Sequence, residues 1–428
     1  METIKKEKNI KFIFRAFQYR NYRLFFGGQG ISLIGTWMQQ ISLSWLVYRL
    51  TNSAFLLGVV GFSSNIPILL IEPFAGVLAD RWNRRKILIV TQILSMLQAL
   101  TLATLVLTGT IQVWHIILLG LFLGSINAFD IPARQSFIVE IVDKKEDLGN
   151  AIALNSTMFN SARLIGPSVA GILIAIAGEG VCFLINAVSY LAVIFALLAM
   201  RLNLPKIKTK KSFIFHEIKE GFSYVADSLP IKSIILLLGL VSFTGMSYPI
   251  LMPIFAKKIL HGGPHTLGFL MGAIGTGALI GAFYLASRKN VAGLGRIIPV
   301  ATGIFSIGLI SMSFSGVLWL SLILMSITGF GMIVQMASCN TVIQTIVDDN
   351  KRGRVMSFYI MAFMGTAPFG SLLAGTLASK IGAPHTLTIN GVFCLIGSLL
   401  FASKIPALKK LHPEIYSLPF SKYANGKK

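Results

Sequence analysis

Charge is what this sequence has least of. Only 13% of its 428 residues are Asp, Glu, Lys or Arg, and 54% are hydrophobic. Soluble globular proteins carry about 25% charged residues. A chain this long and this poor in charge cannot cover a water-facing surface, so most of its exterior must face lipid. Cysteine is scarce too. Cys182, Cys339 and Cys394 lie far apart in apolar stretches, with neither a disulfide framework nor zinc spacing. There is no G-x-x-x-x-G-K-[ST] loop to cradle ATP phosphates, no G-x-S-x-G and no H-E-x-x-H. The expectation is a chain that is not an enzyme and uses no cofactor or metal. His261 and His265 are four apart, but HGGPH cannot be helical and reads as an external turn. A membrane-embedded enzyme such as an acyltransferase would need a His, Asp or Cys constellation near one interface, and none is visible.

The bases that are present give a net charge of +22. In a soluble protein that would suggest nucleic acid. Here the bases sit in short turns between oily runs and report membrane orientation instead, so no nucleic-acid partner is expected. Seven bases precede the first oily run, from Lys5 to Arg23, without a small-residue cleavage site after it. That argues against a cleaved signal peptide.

A bilayer core of about 30 Å needs about 20 apolar residues per helical crossing. Suitable runs lie near 25–50, 54–79, 87–108, 112–130, 150–177 and 180–200, then near 231–256, 265–287, 296–315, 317–346, 354–379 and 385–403. The fold class expected is therefore all-α integral membrane, with twelve transmembrane helices. The implied organisation is a cytoplasmic segment (1–24), a six-helix half (25–200), a basic linker (201–230), a second half (231–404) and a cytoplasmic tail (405–428). Within the linker, apolar residues from 213 to 225 are spaced for a short amphipathic helix on the membrane surface. With both termini cytoplasmic, Arg49, Lys257, Lys258 and Lys380 fall outside, Arg163 falls within a helix, and the other 33 bases fall inside. The halves also repeat at an offset of 205. Gly76 maps onto Gly281, Gly124 onto Gly329 and Ile141-Val142-Asp143 onto Ile346-Val347-Asp348; with one gap, GPSVAG (166–171) maps onto GSLLAG (370–375). Such repeated halves are an architecture of secondary transporters.

The stretch LLIEPFAGVLADRWNRRK (69–86) ends an oily helix in a basic turn. Gly76, Asp80, Arg81, Arg84 and Arg85 make up G-x-x-x-D-R-x-x-R-R, which resembles the signature between helices 2 and 3 of the major facilitator superfamily. FDIPAR (129–134) and RLIGPSVAG (163–171) resemble its drug-efflux branch, which includes enterobactin exporters and macrolide efflux pumps. The resemblance implies a conformational latch at the helix 2–3 motif, with Asp80 as its carboxylate. For Gly166, Pro167 and Gly171 it implies helix bending and tight packing between the halves. Asn83 stands where many members carry glycine, and helix 4, read as 112–130, holds no arginine.

Ionisable residues inside a bilayer are rare and often functional, and an ionised one near its centre costs on the order of 3 kcal/mol. Glu72 lies eight residues before Asp80, about 12 Å into the membrane. It is a proton-coupling candidate or a polar group in a wet vestibule. Asp130 is a second candidate: it either pairs locally with Arg134 or, as the resemblance implies, protonates at a cavity mouth. Arg163 is expected to have an acid or carbonyl partner. Gln29, Ser32, Thr36 and Gln40 share one side of helix 1, a substrate-cavity stripe or interhelical hydrogen-bonding groups. These residues, with what the resemblance implies, give the expectation of a proton-coupled secondary transporter that exports a small amphipathic or hydrophobic compound, drug or siderophore, by rocking two halves about a central site. Its partners would be that substrate, protons and the lipid bilayer, and it would work as a monomer in the inner or plasma membrane. An uptake symporter or lysolipid flippase of the same fold, or a ligand receptor, are the alternatives.

Overall fold

The computed structural model describes residues 15–201, 222–288, 290–348 and 351–416, with the backbone alone at 73, 76–81 and 145. Among these residues there is no strand. A 3-10 turn, Arg15–Gln18, leads into α1 (Arg20–Thr51), followed by α2 (Ala54–Arg81), α3 (Arg84–Leu107), α4 (Val113–Glu140), α5 (Lys145–Ala177) and α6 (Glu179–Ala199). Next come α7 (Leu229–Ile259), α8 (Pro264–Ala286), α9 (Leu294–Ser313), α10 (Leu318–Ile346), α11 (Arg352–Ile381), α12 (Ala383–Leu411) and a final turn, Pro413–Tyr416. All but α1 contain a stretch apolar and long enough to cross a membrane. The exception has 32 residues and is diluted by Gln29, Gln39 and Gln40. Helices are what a bilayer demands, because each backbone polar group must find its partner within the segment. Of the amphipathic helix expected at 213–225, only 222–225 falls within the described residues, in a helical turn over 222–227.

Several expected boundaries move: α1 begins at Arg20 rather than near 25 and α12 ends at Leu411 rather than near 403, and two further moves bear on the site. Helix α4 does not stop near Asp130 but runs through Pro132 to Glu140, so Arg134 belongs to it. A proline forfeits one helical hydrogen bond, a loss that membrane helices tolerate when neighbours restore the polar contacts. Asp130 and Arg134 are then four apart on one helix and pair across its turn. Helix α5 begins at Lys145, and its first turn holds Glu146 and Asp147, where the helix dipole favours negative charge.

The chain forms two compact units, residues 1–46 with 66–210 and residues 47–65 with 211–428. In the first, α3 packs on α4 and α6. α1 approaches α6 closely at two glycines: a Cβ on Gly28 would lie 2.8 Å from the Ala192 carbonyl oxygen, and one on Gly35 2.5 Å from Asn186 Oδ1. Tyr22, Phe25, Phe137, Ile141 and Leu197 fill the core where the ends of α1, α4 and α6 meet. In the second unit α10 packs on α8 and α9, and α12 on α9. Gly281 and Gly329, the repeat partners of Gly76 and Gly124, both serve the α8–α10 crossing. A Cβ on Gly281 would lie 3.1 Å from the Phe330 oxygen, and one on Gly329 2.9 Å from Ile274 Cα. The first turns of α2 join α11 in the same way, through Gly58 and Gly375.

The repeat reaches the joints as well. Gly178 ends α5 and opens α6 at φ 80°, and Gly382 ends α11 and opens α12 at φ 87°. Side-chain-bearing residues rarely adopt this backbone, so glycine lets one helix stop and the next start in a single residue. Their offset of 204 carries the one-residue gap that aligned GPSVAG with GSLLAG.

Candidate functional site

Asp130, buried in α4, has donors on both oxygens. Thr91 Oγ1 and Gln92 Nε2 of α3 donate to Oδ1 at 2.8 and 2.9 Å. The Arg134 guanidinium lies 3.4 Å from Oδ2. Of the two sequence readings, this geometry is the local pairing, extended to a clamp between α3 and α4.

The latch residues divide. Gly76, Asp80 and Arg81 have side chains outside the described residues, so the latch carboxylate has no described contact. Arg84 forms an ion pair with Glu140, joining the start of α3 to the end of α4. Arg85 Nη2 donates to the Leu198 carbonyl at 2.9 Å, a cation at the C-terminal end of α6, where the dipole favours it. Asn83, the departure from the motif, caps α3: its Oδ1 accepts from the Lys86 amide at 3.1 Å.

Glu72 is half-buried in α2 and has no hydrogen bond or ion pair to any described residue. Arg163 of α5 is half-buried as well. Its guanidinium stands over the Trp37 ring of α1 at 5.1 Å, and Phe159 meets the same ring edge-on at 5.7 Å. The expectation of an acid or carbonyl partner is corrected here: among the described residues its partner is an aromatic face. Arg163 lies 18 residues into α5 and Trp37 17 residues into α1, each about 26 Å along its helix and so near mid-bilayer. An arginine there costs about 3 kcal/mol on insertion scales, and a ring face returns about 0.5–2 kcal/mol. The cation is incompletely compensated.

Gly166 sits against α1 in its own unit, where a Cβ would lie 2.5 Å from Trp37 Cβ and 2.9 Å from the Ile34 oxygen. Pro167 and Gly171 are buried in the same helix. The helix 1 stripe splits: Gln29 and Ser32 are buried, while Thr36 and Gln40 are exposed. Thr36 Oγ1 donates back to the Ser32 carbonyl at 2.9 Å. Residues 261–263 are not helical and α8 starts at Pro264, as HGGPH required.

Two clusters were not singled out from the sequence. Gln39, one residue off the stripe, receives Asn186 Nδ2 at 2.7 Å and donates to Gln98 Oε1 at 3.0 Å. Gln98 in turn reaches the Leu119 carbonyl at 3.3 Å. These buried amides join α1, α3, α4 and α6, and isolated amides in oily helices are the signal that points to such bonds. Where the start of α1 meets the start of α5, Asp147 accepts from Gln18 Nε2 at 2.7 Å and the Tyr19 hydroxyl at 2.6 Å and forms an ion pair with Arg15, whose Nε lies 3.0 Å from Oδ1. The Ala16 amide donates to Asn150 Oδ1 nearby at 3.0 Å. Burial, then the hydrogen bond and charge of Asp147, raise the Tyr19 phenol above its ordinary value.

Solved transporters share this helical architecture. A bacterial homologue of the human lysosomal transporter Spinster, inward-facing and occupied, aligns with a TM-score of 0.70 at 14% identity, covering 90% of this chain and 96% of that one. The nucleoside transporter NupG aligns at 0.67 with 12% identity, over 88% and 99%. The fold is the major facilitator fold of these structures; the family match and the efflux relatives, not the likeness of fold, put the chain in the class of secondary transporters. Within that class the chain belongs to the family described as transmembrane secretion effectors, which matches residues 14–420. Relatives include the staphyloferrin A transporter of Staphylococcus aureus, 28% identical over 89% of this chain and 95% of that protein. The multidrug efflux pump Tap of Mycolicibacterium fortuitum is 25% identical over 90% and 93%. Macrolide efflux protein A of Streptococcus pyogenes is 23% identical over 88% and 95%.

Proposed function

We propose that this chain is a proton-driven exporter of a small amphipathic or hydrophobic compound, working by alternating access as a single chain in the cell membrane. Its functional halves are residues 25–200 and 231–404, with both termini cytoplasmic, as the distribution of Lys and Arg supports. The export direction rests on family membership and on relatives that are efflux proteins. The observation that carries proton coupling is Glu72, a half-buried acid in a membrane helix with no partner among the described residues. Intramembrane acids of this kind mark proton relays by default. Asp130 organises the α3–α4 contact and is the second coupling candidate. Gly76, Asp80, Arg81, Arg84 and Arg85 form the latch that biases one state over the other. A bias of a few kcal/mol suffices to move such an equilibrium.

The test is accumulation of rhodamine 123 or fluorescein by energised inside-out vesicles containing wild type, Glu72→Gln or Asp130→Asn at matched levels. Uncoupler-sensitive accumulation by wild type, lost in Glu72→Gln, is expected. Accumulation that ignores the uncoupler sinks proton coupling, and uptake by right-side-out vesicles instead makes the chain an importer.

A further inference from the structure

The Arg163 guanidinium makes no hydrogen bond or ion pair to any described residue, and its nitrogens are not among the buried unpartnered atoms. They are therefore open. Open to hydrocarbon they would be untenable at mid-bilayer depth, so they face a wet path. The surroundings suit a ligand better than bulk water does. Trp37 lies beneath the cation, and Phe159, exposed, stands edge-on to Trp37. Thr36 and Gln40, both exposed, flank Trp37 on α1. One turn from Arg163, Asn160 is buried with its Oδ1 unpartnered. Three carboxylates of this unit's helices already hold a cation, Asp130 with Arg134, Glu140 with Arg84 and Asp147 with Arg15, and Glu72 of α2 has no ion pair to Arg163 or to any other described residue. Trp37 braces the guanidinium from one side and Gly166 leaves the room in which the ring sits. A cation held in place, with its donors free, is built to receive an anion. The planar fork of arginine matches a carboxylate in two parallel hydrogen bonds.

We propose that Arg163 on Trp37 is an anion subsite, which takes a carboxylate or similar oxyanion on a substrate whose apolar rings lie against Trp37 and Phe159. This deepens the reading that the chain exports small compounds, and it makes the exported class anionic amphiphiles rather than the lipophilic cations that many efflux pumps carry.

The probes are fluorescein, an anion with a free carboxylate, and rhodamine 123, a cationic ester on the same xanthene skeleton. Binding is measured by fluorescence anisotropy on the purified full chain in nanodiscs, where no energy source is needed. Wild type binds fluorescein at least about 10-fold more tightly than rhodamine 123. Arg163→Gln loses about 10- to 100-fold for fluorescein and nothing for rhodamine 123, as expected for a lost charge-assisted pair. Arg163→Lys, which keeps the charge but not the fork, retains part of the preference and shows that the site still folds. Absence of fluorescein binding, equal binding of both dyes, or equal losses for both dyes in Arg163→Gln and Arg163→Lys overturns the proposal. The vesicle assay separates this from the export reading. Transport of rhodamine 123 without fluorescein binding leaves export standing and removes the subsite. Fluorescein binding lost in Arg163→Gln, without vectorial transport, does the reverse.

Discussion

Asp147→Ala removes the acceptor that pins the start of α1 to the start of α5. The carboxylate is nearly buried, with its side chain 8% exposed, and the Arg15 partner is 30% exposed. Hydrogen bonds to a charged acceptor contribute about 1.5–3 kcal/mol. Taking the low end for Gln18 and Tyr19, which are partly buried, gives about 3 kcal/mol. The Arg15 pair reaches solvent and adds at most about 0.5 kcal/mol. Local opening of the Arg15–Gln18 turn should thus rise by about 100-fold, since each 1.4 kcal/mol is a factor of ten. Hydrogen exchange of peptides covering 15–25, in nanodiscs, reads this directly. Faster exchange there, with α9 and α10 unchanged, is the expected result. Protection in 15–25 that stays within about 3-fold of wild type would refute the reasoning and show that the remaining bonds, Tyr22 to the Ala151 carbonyl, the Ala16 amide to Asn150 and Arg15 to the Glu146 carbonyl, hold the segment without Asp147. The pH dependence has a definite sign. Tyr19 is raised in the folded chain, so its share of the clamp is complete below the ordinary phenol value of about 10. That share is lost as pH climbs through the raised value, and protection should not change between neutral pH and about 9.

Three further outcomes follow from the packing. Asp130→Ala orphans Gln92 Nε2 and leaves Arg134 unpaired, while Thr91 keeps the Leu88 carbonyl; this should cost about 3 kcal/mol and lower the thermal midpoint of the purified chain, and an unchanged midpoint refutes the clamp. Gly166→Ala drives a Cβ into Trp37 and the Ile34 carbonyl, an overpacking penalty of about 1–3 kcal/mol, whereas the same change at Gly149, which has open space, should be harmless. Lys257→Ala removes a donor to Asn52 Oδ1 at 2.9 Å and a cation 5.6 Å from the Tyr48 ring. Because Lys257 is exposed, the loss should stay under about 1 kcal/mol, visible as faster hydrogen exchange in the segment 48–54 and not as unfolding.

Much of this molecule could be read from the order of its residues, because the bilayer turns local composition into structure. An apolar run of about 20 residues must become a helix whatever its neighbours are. The helices and the internal repeat were therefore visible in the sequence, whereas the glycine joints at Gly178 and Gly382 emerged only with the backbone angles. Boundaries were less so. The oily run read as 112–130 stops two residues short of Pro132, yet the helix continues through it to Glu140, with Asp130 and Arg134 paired across an unbroken turn. The side-chain partners were not legible at all. Asp147 meets donors 128 and 129 residues away and Asn186 meets Gln39 147 residues away, and no periodicity encodes which polar groups a fold will bring together. Arg163 shows the division most sharply. The sequence by itself determined that a cation lies in the membrane and needs compensation. Only the tertiary structure decided that its neighbour is the face of Trp37, since Gly166 lets α1 come close enough for a ring to reach it.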